Sequence, residues 1–314
     1  VMGGLKAVIY TDTVQWIILM AGLIFIGIPI AYNAIGGMEA IRSTLPDEFL
    51  SLRNVSWQTL LNWGVTIVPI WFVGMTLYQR IYACKGKKEA QRAWFIAGLF
   101  EWPVMAMMGV LLGLFSRVAV ENGVLAEAGI VGAESIDAEM GLPLLLKNVL
   151  PVGLMGLMMS AYFSAIMSTA DSCLMAASGN LVTDILGSMK RFKRFGMQEL
   201  KLSQVVTLFI GIAALIIASS MQNVLELMLY SYAFMVSGLL VPIIGALFWK
   251  QRSPTAALWS MILGGGLTLF FSVRETSLPI WLDRNVYGIS LSALTFILLS
   301  WIYPSPQKKI TDKI

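Results

Sequence analysis

The sequence has no histidine and only two cysteines, Cys84 and Cys173. Without histidine the chain has no imidazole for general acid–base catalysis, phosphate transfer or metal binding. One cysteine lies beside a basic segment and the other within a long apolar run, so the pair suggests neither a disulfide framework nor a zinc site. Catalysis, phosphorelay and metal binding that depend on histidine are therefore excluded.

Charged residues are also scarce, at 13% of the chain, whereas 57% of the residues are hydrophobic and the mean hydropathy is +0.76. A soluble domain of this length could not bury so much apolar surface in one core. The net charge is +4, but the basic residues fall in short clusters between apolar runs, so a nucleic-acid partner is not expected. The composition predicts an all-α integral membrane protein whose partner is the lipid bilayer.

About eight apolar runs are long enough to cross a hydrocarbon core of roughly 30 Å as helices. They lie at Val14 to Ile35, Leu60 to Tyr82, Ala93 to Phe115, Pro151 to Leu186, Val205 to Ser219, Val224 to Trp249, Ala256 to Val273 and Val286 to Tyr303. Three successive glycines at 264–266 indicate close packing or a bend in the seventh run. We expect one membrane domain over residues 1–314.

The basic residues are concentrated in alternate connections, including the segments KGKKEAQR and KRFKRFG, whereas most acids lie in the others. Because basic loops remain on the cytoplasmic side, both ends of this chain are predicted to be cytoplasmic, in the cytoplasmic (inner) membrane. The first residues, VMGGL, do not form a signal peptide, and the chain is expected to begin partway through a membrane protein.

Polar oxygens line one face of the fourth run. Ala165, Ser168, Thr169 and Ser172 follow the spacing i, i+3, i+4 and i+7, with Asp171 on the same side. Hard cations prefer such carbonyl, hydroxyl and carboxylate oxygens, so this set, which we call the oxygen ledge, predicts a sodium site. The competing interpretation is that small residues and hydroxyls pack neighbouring helices, with each hydroxyl bonded to the preceding turn.

Few ionisable side chains lie within the runs, and each is a candidate for function. Glu101 stands in mid-run, two residues before Pro103. Asp12, at the mouth of the first run, either has a functional role or forms a capping box with Gln15. Glu226 lies near the outer end of the sixth run, at its third residue, and is expected to be interfacial.

Three segments resemble the sodium/solute symporter family, which includes carriers of proline, sugars, sialic acid, pantothenate and choline. MSTADSCLMAASGNLVTDI is similar to the signature helix of the family, GGLKAVIYTDTVQ to the start of an earlier span, and YQRIYACKGKKEAQRAW to an inner loop. They occur in the order found in the family, and the similarity extends over nearly the whole chain.

The resemblance implies part of a secondary transporter core with two inverted five-helix repeats of the leucine-transporter type. It implies Na⁺ as the coupling ion, no cofactor, and a sodium site formed by the Ala165 carbonyl and the hydroxyls of Ser168 and Thr169. It also implies a second sodium site or exit path at Asp12, Ser168 and Ser172, and Asp171, which stands where such members carry serine, is a further candidate for it.

The resemblance also concerns the solute. Glu101 aligns with a lysine that contacts substrate in sugar carriers, and Gly74 and Met75 replace polar side chains of those carriers. These departures argue against a sugar, and a carboxylate at 101 would suit an amine or another cationic group. In the family, the remaining sodium ligands come from a broken helix in the first repeat, and these upstream helices are expected to be absent from this chain.

The expected function is sodium-coupled symport of a small organic solute by alternating access, unless the shortened chain is inactive. Two rival functions stay open, a non-transporting membrane fragment and a symporter-like membrane sensor domain. A polytopic membrane enzyme would need acids or nucleophiles clustered at one interface, whereas the inner loops offer mainly lysine and arginine. We therefore expect no enzyme activity.

Overall fold

The computed structural model describes residues 4–51, 53–130, 132, 136–187, 199–220, 223–249, 253–274 and 282–304. All regular secondary structure in these ranges is helical, and eight helices are long and apolar enough to span a membrane. In chain order, the first to the eighth spans are Val8–Ala34, Trp57–Tyr82, Lys87–Glu121, Val152–Leu186, Lys201–Ser219, Val224–Phe248, Pro254–Arg274 and Arg284–Ile302. The prediction of an all-α protein with eight spans is confirmed. The basic segment KRFKRFG lies outside the described residues.

Shorter helices connect the first span to the second and the third to the fourth. They are the α-helices Gly37–Thr44 and Gly141–Val149 and the 3₁₀ turns Asp47–Leu50, Ala126–Ala128 and Ala138–Met140. The third span begins six residues before the apolar run that predicted it, because the helix continues through the polar segment KKEAQR. Hydropathy therefore located the apolar centre of this span but not its polar end.

The contacts divide the chain into two compact units. Unit 1 comprises Val1–Leu52 and Tyr78–Gln222, and unit 2 comprises Arg53–Leu77 and Asn223–Ile314. The chain passes from unit 2 back to unit 1 within the second span.

Prolines explain two irregular stretches in unit 1. The first span consists of the α-helix Gly4–Gly22, a π-helical turn at Leu23–Gly27 and the α-helix Ile28–Ala34, which contains Pro29. The third span consists of the α-helix Lys87–Phe100, a π-helical turn at Glu101–Ala106, which contains Pro103, and the α-helix Met107–Glu121. Proline has no N–H and its ring crowds the carbonyl four residues earlier, so an extra residue in the turn relieves the clash.

The first and fourth spans pack closely in unit 1. A Cβ atom on Gly22 would lie 2.3 Å from the Sδ atom of Met158, which is fully buried. The fourth span is α-helical over Val152–Gly179 and π-helical over Asn180–Leu186. A side chain at position 22 would displace the end of the Met158 side chain, so glycine there lets the first span lie close to the helix that carries the oxygen ledge.

Small residues join three helices in unit 2. A Cβ atom on Gly264 would lie 2.4 Å from the carbonyl oxygen of Ser237, and one on Gly288 would lie 2.0 Å from Oγ1 of Thr268. Thr268 Oγ1 donates to Ser237 Oγ at 2.8 Å. The predicted close packing of the glycine run is confirmed for Gly264, whereas a Cβ atom on Gly266 would meet nothing within 4 Å.

Candidate functional site

The oxygen ledge lies in mid-helix in the fourth span, as its spacing predicted. Thr169 Oγ1 donates to the carbonyl oxygen of Ala165 at 3.3 Å, and Ser172 Oγ donates to the carbonyl oxygen of Ser168 at 2.9 Å. Ser172 is buried, Ala165 and Ser168 are half-buried, and Thr169 is exposed. The hydroxyls of Thr169 and Ser172 thus bond to the preceding turn, in the manner of the packing interpretation.

The same geometry is compatible with cation binding. Oxygen ligands lie about 2.4 Å from a calcium ion, so two neighbouring oxygens at right angles around a hard cation of that kind are roughly 3.4 Å apart. Thr169 Oγ1 and the Ala165 carbonyl oxygen are 3.3 Å apart. A rotation of the threonine hydroxyl hydrogen would leave both oxygens able to bind one ion without movement of the backbone.

An arginine connects the first, second and fourth spans in unit 1. Nη2 of Arg80 donates to Oδ2 of Asp12 at 2.9 Å and to Oγ of Ser172 at 2.8 Å. Ser172 is only 6% exposed. Asp12 lies inside the helix Gly4–Gly22 rather than at its first residue, so the interpretation of Asp12 as a helix cap is wrong. We call these three side chains the Asp12–Arg80–Ser172 network.

Sequence reasoning missed the role of Arg80, because it counted this residue only as a basic residue of an inner connection. The available signal was its place two residues before the end of the second span, since a charged side chain within a span requires a partner. Asp12 and Ser172, two of the residues predicted for a second sodium site or exit path, are brought together by this guanidinium. Asp171, the further candidate for this site, is exposed and forms no ion pair with any described residue.

Acceptor oxygens are in excess around this end of unit 1. Oδ1 of Asp12, Oε1 of Gln15 and Oε1 of Gln79 are buried and have no hydrogen-bond partner within the described part of the chain. Buried acceptors without donors are unfavourable, and they favour the approach of a cation or of another donor. The first two belong to the helix that carries Asp12, and Gln79 precedes Arg80.

The second span is broken at Gly74, a candidate residue for contact with solute. The span consists of the α-helices Trp57–Val73 and Met75–Tyr82, and between them Gly74 has φ −67° and ψ 110°. Gly74 is buried, and a Cβ atom there would lie 3.0 Å from the carbonyl oxygen of Ile70. Irregular backbone at membrane depth requires burial in protein or a polar cavity, and broken helices of transporters supply backbone groups to ligands.

Glu101 lies at the first residue of the π-helical turn in the third span and is half-buried. Phe100, its neighbour, packs edge-on against Trp16 of the first span, with ring centroids 5.4 Å apart. The Glu101 carboxylate makes no ion pair with any residue that the structure describes. Glu101 belongs to unit 1, whereas Gly74 and Met75 belong to unit 2.

The groups available for a metal ion are oxygens. Within the described residues there is no cluster of three or more histidine, cysteine, aspartate or glutamate side chains able to hold a metal. A cation at the ledge would therefore be bound mainly by neutral oxygens. Such a site suits a monovalent hard cation better than a transition metal.

Comparison with known proteins agrees with this multi-pass membrane architecture. Residues 1–264 match the model of the sodium:solute symporter family. The chain therefore belongs to the sodium:solute symporter family, as the three sequence segments indicated.

Several characterised relatives are transporters. The chain is 28% identical over 322 residues to the high-affinity proline transporter PutP of Bacillus subtilis, a match that covers 99% of this chain and 64% of the relative. It is 26% identical to the osmoregulated proline transporter OpuE of the same organism, covering 98% and 61%, and 25% identical to rabbit (Oryctolagus cuniculus) sodium/glucose cotransporter 1, covering 84% and 45%. The chain thus spans about half to two thirds of the length of these relatives.

Proposed function

We propose that this chain is part of a carrier that couples the entry of sodium to the symport of a small organic solute across the cytoplasmic membrane by alternating access. Membership of the sodium:solute symporter family and the transporters among its relatives support the class of activity. The observation that carries the proposal is the 3.3 Å separation between Thr169 Oγ1 and the Ala165 carbonyl oxygen, which matches two neighbouring ligands of one hard cation.

Sodium is bound by the Ala165 carbonyl and the hydroxyls of Ser168 and Thr169. These groups supply half of a coordination shell, and the remaining ligands come from outside the ledge helix. A site shared between helices is occupied only while those helices are close together, so sodium favours one conformation of the carrier. If solute binds the same conformation more tightly, each ligand raises the affinity for the other, which is the basis of coupling.

Sodium leaves the ledge past the Asp12–Arg80–Ser172 network. Ser172 is one turn from Ser168, and the unpaired Oδ1 of Asp12 provides an oxygen for the departing ion. The guanidinium of Arg80 competes with sodium for this carboxylate, so the ion does not remain there. We therefore propose an exit path rather than a second stored ion at this position.

The solute carries an amine. The half-buried Glu101 carboxylate can pair with an ammonium group of the solute. A carboxylate in place of a lysine and the absence of polar side chains at positions 74 and 75 do not favour a sugar. Two of the relatives are named as proline transporters, and an imino acid contains the required amine.

Uptake into proteoliposomes tests the proposal. The 314-residue chain and the complete product of its reading frame are reconstituted in parallel, and uptake of labelled proline and glucose is measured with an inward gradient of sodium or of potassium. We expect accumulation of proline with sodium alone in at least one of the two proteins. Transport that is equal in sodium and potassium would contradict sodium coupling.

Matched variants test the site. Replacing Ser168 and Thr169 together by alanine removes two of the three ligands and is expected to raise the sodium concentration for half-maximal uptake at least about tenfold. Ser178→Ala is the control, because Ser178 is a buried hydroxyl of the same helix that bonds to the preceding turn at Met175. An unchanged sodium dependence in the double variant would show that these hydroxyls serve helix packing and do not bind sodium.

A further inference from the structure

Four basic side chains lie close together where the chain turns from the second span to the third. Lys85 stands in the turn, and the first two turns of the helix Lys87–Phe100 carry Lys87, Lys88 and Arg92. All four residues are exposed. We call them the basic turn. They take no part in the sodium site, the exit path or the solute contact proposed above.

The basic turn keeps most of its positive charge. Glu89 is the one acid between positions 83 and 100, and its Oε2 atom accepts a hydrogen bond from the backbone N–H of Lys85 at 3.2 Å. None of the four basic side chains forms an ion pair within the described part of the chain. Four cations thus face one carboxylate that is already engaged by the backbone, and the segment attracts anions.

Two of these cations share one face of the helix with apolar side chains. The positions i, i+4, i+7 and i+11 along the helix are occupied by Lys88, Arg92, Phe95 and Leu99, which we call the Lys88–Leu99 stripe. Phe95 is 73% exposed and Leu99 is 57% exposed. A cationic half of the stripe therefore continues directly into an exposed apolar half.

The cationic half of the stripe has the depth of a headgroup layer. Lys88 and Arg92 are four residues apart, which corresponds to about 6 Å along the helix axis. The polar layer on each side of a hydrocarbon core is roughly 5–8 Å thick. The apolar run of this span begins at Ala93, immediately after Arg92. Both cations therefore lie at the depth of lipid phosphates when the apolar half of the stripe lies at the depth of acyl chains.

From this arrangement we infer that the Lys88–Leu99 stripe binds one anionic phospholipid, with its phosphate between Lys88 and Arg92 and an acyl chain along Phe95 and Leu99. The planar guanidinium matches two phosphate oxygens, and the lysine adds a point charge. A zwitterionic lipid brings its own cation to the same place and gains less. An acidic peptide or free phosphate would leave the apolar half unmatched. The inference goes beyond symport and does not depend on the oxygen ledge or the exit path.

Native mass spectrometry of the purified 314-residue chain in detergent tests this site. Dioleoylphosphatidylglycerol is the anionic probe, and dioleoylphosphatidylcholine, which has the same acyl chains, is the matched zwitterionic lipid. We expect the first phosphatidylglycerol molecule to bind at least about tenfold more tightly than the first phosphatidylcholine molecule. Equal affinity for the two lipids would overturn the inference.

Matched variants separate a defined site from diffuse attraction to surface charge. Lys88→Gln and Arg92→Gln are each expected to weaken phosphatidylglycerol binding about fivefold, and together about 25-fold, without changing phosphatidylcholine binding. Both positions are exposed and glutamine is a good helix former, so the helix is retained.

Lys201→Gln is the control for these variants. Lys201 is an exposed lysine at the start of the fifth span and carries the same charge on the same predicted side of the membrane. We expect this change to leave the first bound phosphatidylglycerol unaffected. If Lys201→Gln weakens its binding as much as Lys88→Gln does, the attraction is diffuse and the inference fails.

The apolar half of the stripe has its own test. Phe95→Ala is expected to weaken the binding of both lipids at least about threefold, because it removes apolar contact with the acyl chain. Glycerophosphoglycerol, the headgroup without acyl chains, is expected not to displace phosphatidylglycerol at equal concentration. Displacement by this headgroup, or unchanged lipid binding in Phe95→Ala, would assign the basic turn to free phosphate groups and overturn the inference.

Discussion

Breaking the ion pair between Asp12 and Arg80 should destabilise unit 1 by an amount that the structure allows us to bound. The two charges are 2.9 Å apart, which corresponds to a Coulomb attraction of about 6 kcal/mol at an effective dielectric constant of about 20. The loss of solvation opposes this attraction. The side chain of Arg80 is 37% exposed and that of Asp12 is 20% exposed, so the pair lies between a surface pair and a buried one.

A double-mutant cycle with Asp12→Asn and Arg80→Gln isolates the coupling from the other interactions of each residue. Fully exposed pairs couple by about 0.2–1 kcal/mol, and removing one partner of a buried pair costs about 3–5 kcal/mol. We therefore expect a coupling energy of about 1–2 kcal/mol. Arg80→Gln alone should be the more destabilising change, because it leaves the less exposed charge, the Asp12 carboxylate, without its cation.

The assay is unfolding of the purified chain in mixed micelles with increasing dodecyl sulfate, followed by circular dichroism. The cycle compares the unfolding free energies of the parent, the two single variants and the double variant. A coupling below about 0.3 kcal/mol would show that the two charges are solvated independently and would refute the proposed network. A third arm, Ser172→Ala, should lower the coupling, because Ser172 holds the same Nη2 atom of Arg80.

Other predictions concern packing, solute selection and orientation. Gly288→Ala should cost about 1–3 kcal/mol of unfolding free energy, because the added Cβ would lie 2.0 Å from Thr268 Oγ1, whereas Gly266→Ala meets no neighbour within 4 Å and should be nearly neutral. In uptake assays, Glu101→Gln should weaken proline competition at least about tenfold without changing the unfolding midpoint, and unchanged competition would dismiss its contact with solute. In vesicles of known sidedness, with the other cysteine replaced by alanine, Cys84 should react with a membrane-impermeant maleimide only from the cytoplasmic side, because its connection is basic. Labelling from the outer side alone would reverse the predicted orientation.

The spans could be predicted because each depends only on the hydropathy of one continuous segment of the chain. A run of about 20 apolar residues must form a helix in a bilayer whatever its neighbours are, so hydropathy alone located all eight. The oxygen ledge could also be predicted, because hydroxyls three and four residues apart must share one face of any helix. The contact of Gly264 with Ser237 needed only the further rule that a glycine run in a membrane helix permits close approach.

Features that depend on two distant segments were not predicted. Arg80 and Asp12 are 68 residues apart, and no local pattern indicates that one guanidinium bonds both Asp12 and Ser172. In unit 2, likewise, Glu226 and Arg284 both contact Tyr230, although these two residues are 58 positions apart in the chain. The break at Gly74 had local signals in Pro69 and the glycine itself, but a glycine in a span indicates close packing as readily as a break.

The bonds that the ledge hydroxyls make to the preceding turn do not argue against a sodium site. The Ala165 carbonyl oxygen has two lone pairs, of which one accepts the helical N–H and the other accepts Thr169 Oγ1. Sodium has to replace only the hydroxyl bond, whose net contribution is about 0.5–1.5 kcal/mol. That bond keeps both oxygens in place when sodium is absent and gives the second lone pair of the half-buried Ala165 carbonyl a donor. A weak internal bond that an ion can replace is therefore what reversible sodium binding requires, and it explains how one pair of residues can satisfy both the packing and the sodium interpretations.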